Sequence, residues 1–293
     1  MEKRQVYSEM LCLAGALSAV IAGAYVRSKY ERNHFVVEKT VIFSTKIKEA
    51  KTLVFLTDLH DKEFGRGNEL LLRAVAGIDP ALVLIGGDTM VAKAGLDNLA
   101  VTERLLRGLS RIAPVYYGNG NHEQRLKKEA AVYGNEYRNF LDLLKQSGAV
   151  YLADASVAVG ADLRISGLDI DKPYYKDFFP KQMEREYLQR HLGPADCDRY
   201  QILLSHSPLF HRAYADWGAD LSLTGHFHGG TIRLPVLGGV MTPQFQFFQP
   251  YCAGTFERDG RYMIAGRGLG THSVNIRLNN LPQVVAVELQ PER

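Results

Sequence analysis

The stretch Lys51–Asp88, KTLVFLTDLHDKEFGRGNELLLRAVAGIDPALVLIGGD, decides the fold. It opens on the apolar run Leu53-Val54-Phe55-Leu56 and closes on Leu82-Val83-Leu84-Ile85. Short unbroken apolar runs suit strands buried on both faces. Between them Leu71, Leu72, Val75 and Ile78 recur at helical spacing, with Asn68 placed as N-cap and Pro80 as the stop. The segment therefore reads as a β-α-β unit. Each strand ends in a polar cluster, Asp58-Leu59-His60 after the first and Gly86-Gly87-Asp88 after the second. Chemistry carried on loops at one edge of a sheet is the arrangement such units favour.

The same grammar continues in both directions. Upstream, 35–47 alternates and is rich in β-branched residues, as an opening strand is. Downstream, 96–109 reads as a helix, and Pro114-Val115-Tyr116-Tyr117 as a strand running into Gly118-Asn119-Gly120-Asn121-His122-Glu123. A helix is expected over 133–147, short strands near Val157 and over 163–165, and a helix over 183–191. Ile202-Leu203-Leu204 delivers Ser205-His206, and Leu221-Ser222-Leu223 delivers Gly225-His226-Phe227-His228-Gly229. Strands over 262–265 and 284–289 close the chain, which shows no internal repeat and no linker within its polar part.

The N-terminus follows a different rule. Met10–Val26, MLCLAGALSAVIAGAYV, carries no charge and sits at the short end of what spans a bilayer. It is apolar on all sides, unlike a surface helix. It reads as a single-pass membrane anchor; a cleaved signal peptide, with small residues at Ala22, Gly23 and Ala24, is the rival. Basic residues lie on both sides, Lys3 and Arg4 before and Arg27, Lys29 and Arg32 after, so they leave open which side of the membrane the remainder faces. The expected organisation is an anchor or signal-like segment over 1–32 and one large domain over 33–293. The net charge is only +3 and mixed in sign, which argues against a nucleic-acid partner. Cys12, Cys197 and Cys252 are too scattered for a disulfide framework or a thiolate metal site.

In an extended chain residues i and i+2 point the same way, so Asp58 and His60 can converge on one ion. A carboxylate such as Asp88, carried on a tight Gly-Gly turn, can bridge two cations. Taken singly, most of these clusters are ordinary turns; only the glycine-flanked His226-Phe227-His228 points to metal unaided. Their order, each after a strand, makes the set a metal site. Mixed imidazole and carboxylate ligands suit Mn, Fe or Zn better than Mg or Ca. Two such ions about 3.5–4 Å apart can clamp a phosphoryl group.

The combined pattern resembles the calcineurin-like metallophosphoesterases, and more narrowly a bacterial membrane-associated branch with Arg267-Gly268-Leu269-Gly270-Thr271 and Arg277-Leu278 near the end. The resemblance covers about residues 50–290. It implies an α/β fold, a four-layer αββα sandwich of two mixed sheets, with a dinuclear metal site at the C-terminal ends of strands. It implies that Asp58, His60 and His228 hold one divalent ion, that Asn121, His206 and His226 hold the other, and that Asp88 bridges them. His122 would contact the phosphate and serve as acid for the leaving oxygen, and the nucleophile would derive from water. Two asparagines compete in the doubled Gly-Asn: Asn121 directly precedes the histidine, and Asn119 is the alternative. Asn121, His122 and Arg267 are the expected substrate contacts. The expected reaction is hydrolysis of a phosphodiester, pyrophosphate or phosphomonoester, with a lipid-linked or cell-envelope substrate suggested by the anchor and by two aromatic groups, Tyr174, Tyr175, Phe178 and Phe179, and Phe245, Phe247, Phe248 and Tyr251. Rivals are a non-catalytic metal-binding scaffold on the same fold and a membrane protein that binds metal without hydrolysis.

Overall fold

The computed structural model describes residues 2–95, 99–176, 179–271 and 274–292. In chain order the main elements are α1 (Glu2–Glu31), β1 (Val36–Ser44), β2 (Lys51–Leu56), α2 (Glu69–Ile78), β3 (Leu82–Ile85), α3 (Leu99–Leu109), β4 (Val115–Gly118), α4 (Asn121–Lys128), α5 (Ala130–Tyr133), α6 (Glu136–Ser147), β5 (Val150–Leu152), β6 (Ala155–Val159), β7 (Leu163–Leu168), α7 (Arg185–Leu192), β8 (Tyr200–Ser205), α8 (His211–Trp217), β9 (Leu221–Thr224), β10 (Arg233–Leu234), β11 (Gly238–Gly239), β12 (Gly254–Arg258), β13 (Arg261–Ala265) and β14 (Gln283–Pro291).

Two six-stranded mixed sheets carry the structure. One runs β1-β14-β2-β3-β4-β5, the other β12-β13-β9-β8-β7-β6. Strands β2 to β5 are parallel, as are β7, β8, β9 and β13. These eight strands point their C-terminal ends toward one edge, and the polar clusters hang there.

Alternation along the strands builds the layers. In β2, Leu53 and Phe55 face the second sheet, where they meet Ile202, Leu204, Leu221 and Leu223. Val54 and Leu56 face the other way, onto Leu71 and Val75 of α2 and Leu105, Leu106 and Leu109 of α3. On the far side Leu203 packs with Leu188 of α7 and Tyr214 of α8. The order is helices, sheet, sheet, helices: the expected four-layer sandwich.

Several local expectations are corrected. Asn68 stands at the N-cap of α2 but in left-handed conformation, and its side chain makes no cap bond. Its Oδ1 accepts instead from the Phe64 backbone N–H at 2.9 Å, closing the ligand loop rather than the helix. The helix expected over 133–147 is two, because Gly134 departs from helical angles between α5 and α6. Helix α4 begins at Asn121, inside what reads as a loop. The expected start of α3 at Leu96 lies outside the described residues, as does Phe178.

Helix α1 is apolar and long enough over Gln5–Glu31 to cross a membrane, and its most apolar stretch is not buried in the fold. Its last turn is fastened to the domain. Glu31 is fully buried and accepts the backbone N–H groups of Asn279 and Asn280, at 3.1 and 2.8 Å. Ser28 Oγ accepts from the Arg277 backbone N–H at 3.1 Å.

Candidate metal centre

Seven of the eight expected centre residues converge at the strand ends as buried side chains: Asp58, His60, Asp88, His122, His206, His226 and His228. They form three overlapping groups whose potential ligand atoms lie within 4.8 Å of one another: Asp58 with His60 and His228, Asp88 with His206 and His226, and Asp88 with His60 and His122. Asp88 and His60 each belong to two of the groups.

The backbone is bent to achieve this. Asp58, His60, Asp88, His226 and His228 all have φ between 46° and 67°. Non-glycine residues in that region are strained and cluster at functional sites. Hydrogen bonds between the loops hold the bends: Asp58 N–H donates to the Gly87 carbonyl at 3.0 Å and His60 N–H to the Asp88 carbonyl at 3.1 Å. Glycine is required where the loops touch. A Cβ on Gly87, whose φ is +88°, would lie 2.0 Å from the Gly120 nitrogen.

Each side chain is aimed by a partner. His206 Nδ1 donates to the Gly86 carbonyl at 2.8 Å, leaving Nε2 directed at Asp88 Oδ2, 3.1 Å away. The other Asp88 oxygen accepts the His122 backbone N–H at 2.9 Å. His60 Nε2 and His228 Nε2 face each other at 3.1 Å. Asp58 Oδ1 lies 3.4 Å from His228 Nε2 and 3.8 Å from His60 Nε2. Ring nitrogens turned toward each other and toward a carboxylate form a donor set for a cation, oriented from behind as metal-bound histidines are.

The electrostatics carry the same signature. Burial opposes the charge on Asp88, but His206, His122 and His60 outweigh it and hold its carboxyl well below the usual range. Burial alone would lower His206, yet the charges of Asp88 and Asp58 outweigh it and raise its pKa to about 10. His226 is held well below its ordinary value, by burial first and by His206 next. His228 is lowered, also chiefly by burial.

The two candidate asparagines differ in position. Asn119 Oδ1 accepts from the Tyr151 hydroxyl at 2.8 Å. Asn121 lines the cavity above the cluster, and its Oδ1 is buried without a hydrogen-bond partner. His226 Nε2 is likewise buried and unpartnered, on the same cavity. Native buried polar atoms seldom go unsatisfied, and a site for an ion is one of the few explanations. The residues present therefore fit divalent cations.

That cavity measures about 360 Å³ and opens to solvent. Its floor is His60, Asp88, Asn121, His122, His226 and His228; Arg125, Lys128, Lys172 and Lys176 line its wall with Glu129 and Tyr175. Such a basic wall draws anions. Arg267, the expected phosphate contact, is turned elsewhere: it reaches Glu38 at 2.6 Å and the Leu281 carbonyl at 3.0 Å, and it does not line this cavity.

Three residues that the sequence reading does not place at the centre support it. Glu123, buried, accepts four donors: the backbone N–H groups of Asp88, Thr89 and Gly120 and the Tyr117 hydroxyl. Burial, then the charge of Asp88, pushes its carboxyl up to about 7. Tyr175 sets its ring edge-on to His226, with centroids 5.0 Å apart. Arg277, buried and pushed down to about 9 chiefly by burial, donates to the carbonyls of Arg267, Gly268, Gly270 and Asn280. It thereby shapes the loop that runs behind Asp58 and His228. Glu123 follows His122 in the motif, which is a signal for it; the role of Arg277 depends on contacts to a helix far away in sequence.

Comparison with known proteins names the architecture. The family model for calcineurin-like phosphoesterases matches residues 51–230, well over half of the chain. The chain belongs to the calcineurin-like phosphoesterase family. This phosphoesterase is 27% identical over 240 residues to the phosphodiesterase YaeI of Escherichia coli K12, with 81% of each chain covered. It is 27% identical over 285 residues to the uncharacterized protein YpbG of Bacillus subtilis 168, covering 94% of this chain and 95% of the other. It is 25% identical over 310 residues to the uncharacterized metallophosphoesterase YkuE of the same organism, covering 99% and 98%. The chain is thus a phosphoester hydrolase by family, and the family binds divalent metals where its buried histidines and carboxylates gather.

Proposed function

We propose that this phosphoesterase is a membrane-anchored enzyme with two divalent ions, manganese, iron or zinc, hydrolysing a phosphodiester or pyrophosphate bond in a lipid-linked or cell-envelope substrate. Asp58, His60 and His228 would hold one ion; Asn121, His206 and His226 the other; Asp88 would touch both. The observation that carries the reading is the pair of buried, unpartnered ligand atoms, Asn121 Oδ1 and His226 Nε2, beside the Asp88–His206 pair. Bound ions would supply Lewis acidity toward a phosphoryl oxygen and activate water near neutral pH.

The remaining roles belong to the chain. His122 Nδ1 accepts the Ala92 backbone N–H at 2.9 Å, so the neutral ring carries its proton on Nε2. That N–H is placed to donate a hydrogen bond to a phosphoryl or leaving oxygen in the cavity. An imidazolium at this position would have to give up the Ala92 bond, which favours hydrogen-bond donation over transfer from a cationic ring. The basic wall would orient the far side of an anionic substrate, with Asn121 and His122 nearest the phosphate. Arg267 is not needed for contact and would act by bracing its loop.

The test is hydrolysis by the full chain in detergent of bis-(p-nitrophenyl) phosphate, p-nitrophenyl phosphate and a lipid-linked pyrophosphate, each with added Mn, Zn or Mg. Absence of turnover under every condition sinks the enzyme reading and leaves the scaffold. His122→Ala should retain ion binding and lose about 10²–10³ in rate; unchanged turnover would remove His122 from the mechanism.

A further inference from the structure

The anchor and the metal centre leave the domain at the same end, and the topology requires it. Strand β2 points its C-terminal end, and with it Asp58, toward the site edge. Strand β14 is antiparallel to β2, and β1 is parallel to β14. Residue Val36, the first of β1, therefore lies at the site edge, pairing with Gln283. Only a few residues separate it from Glu31, the last of α1.

The junction is rigid rather than a free tether. At about 1.5 Å of rise per residue, Ser28 and Glu31 lie about 3 and 7.5 Å beyond Val26, where the uncharged run ends. Both are bonded to 277–280, so that segment sits close to the level at which α1 would leave a bilayer. The segment in turn holds the hairpin β10–β11: Leu278 bridges Ile232, and Arg233 N–H donates to the Leu278 carbonyl.

The loops at this level are apolar where they meet solvent. The hairpin tip presents Leu234, Val236 and Leu237, and the neighbouring loop Phe245, Phe247 and Phe248. Val236 is fully exposed and Phe247 60% exposed. Val274 and Ile276 line a second cavity, about 200 Å³, with Met241, Pro243 and Phe245; it ends against His228 and Arg277. Arg27, Lys29 and Arg32 follow the uncharged run of α1. Exposed aromatic and aliphatic tips beside basic residues are what a membrane interface selects, and contiguous exposed apolar surface marks an interaction site.

We propose that this face is seated on the bilayer: the 234–237 tip and the 245–248 loop enter the interface, and the metal centre opens toward the lipid headgroups. The proposal rests on the anchor reading above, and adds a fixed orientation to it. The enzyme then acts on phosphoesters held at the membrane surface, and a hydrocarbon chain has the second cavity beside His228 to enter.

The test uses the full chain reconstituted into vesicles of phosphatidylcholine and an anionic phospholipid, with acyl chains either brominated or not. Phe247→Trp and Leu237→Trp report from the proposed face. Ala50→Trp reports from the opposite end of the sheet, which the six residues of β2 set about 20 Å away. The emission of Trp217 in the parent chain is subtracted, and retained circular dichroism confirms that each variant folds. Side chains at an interface lie about 5–10 Å into the headgroup boundary, so bromination should quench the two face variants about twofold or more and leave Ala50→Trp nearly unchanged. Equal, weak quenching of all three while the protein floats with the vesicles overturns the seating and leaves the anchor intact. Weak quenching with self-association of the vesicle-bound protein assigns the face to a second copy and also overturns it. Failure to float with the vesicles overturns both readings.

Discussion

Replacing Glu123 by Gln tests whether the metal centre is held by a buried carboxylate that never touches an ion. In the native chain Oε2 accepts from Asp88 N at 2.9 Å and Gly120 N at 2.8 Å, and Oε1 from Thr89 N at 3.2 Å and the Tyr117 hydroxyl at 2.6 Å. Glutamine keeps one oxygen. Its best rotamer leaves that oxygen on Asp88 and Gly120 and turns its amide toward Thr89 and Tyr117. Tyr117 can adapt, because its hydroxyl also lies 2.6 Å from Thr89 Oγ1 and can turn its proton there. The Thr89 N–H cannot. One orphaned buried donor costs about 1–3 kcal/mol, and two remaining bonds fall from charged to neutral strength, about 1 kcal/mol each. Relief of repulsion from Asp88 returns part of this. The expected net loss is about 2–4 kcal/mol. It should appear as a lower urea midpoint at unchanged slope. Because Asp88 and Gly120 both hang on this carboxylate, Mn affinity by calorimetry should fall about 10–100-fold, as for other residues that orient ligands. A loss below about 1 kcal/mol together with unaltered Mn affinity would refute the account.

Three other outcomes follow from the same geometry. Asn121→Ala should weaken divalent-ion binding measured by calorimetry, whereas Asn119→Ala should cost stability through the lost Tyr151 bond and leave the ions in place; the reverse result would exchange their roles. Gly87→Ala should destabilise by on the order of 4 kcal/mol in urea, since its Cβ meets backbone and not a movable side chain. Asp162 lies away from the site, held by Lys51 at 2.6 Å and the Lys48 N–H at 2.9 Å. Burial opposes its charge, but those partners outweigh it and lower its pKa. A depressed carboxyl contributes stability that is present above the unfolded value of about 3.9 and lost as pH falls through the folded value. Asp162→Asn should therefore unfold about 1–3 kcal/mol more easily at pH 7, with the difference shrinking below about pH 4. A difference independent of pH would mean that charge is not what Asp162 contributes.

The sheet was legible because parallel strands buried on both faces must be written as unbroken apolar runs, and each run here is cut off by its ligand cluster. Leu53–Leu56 and Leu82–Ile85 name both the strand and the edge where Asp58 and Asp88 emerge. Elements decided by contacts were not. The three-residue β5 and the seven-residue α8 are too short to show a period, and their neighbours stabilise them. Asn68 looked like a helix cap because the residue type is shared by caps and tight turns; the Phe64 amide made the choice. Asn121 and Asn119 are equivalent in a linear motif and differ only in what lies opposite, a cavity for one and Tyr151 for the other. Arg277 serves the site through Gly268 and Gly270 and meets α1 through Ser28, a partner 249 residues away.

The left-handed bends at Asp58, His60, Asp88, His226 and His228 bear on what removing the ions does to the protein. Five strained residues would be expected to relax if nothing but a cation held them. Here the Gly87 and Asp88 carbonyls accept from the Asp58 and His60 N–H groups, and the Asp58 carboxylate accepts the His226 N–H. Zinc fingers fold only as they bind, and chelators unfold them. In this chain protein hydrogen bonds span the same bends, so stripping the ions with a chelator is expected to cost activity before it costs the fold; loss of circular dichroism on chelation would refute this.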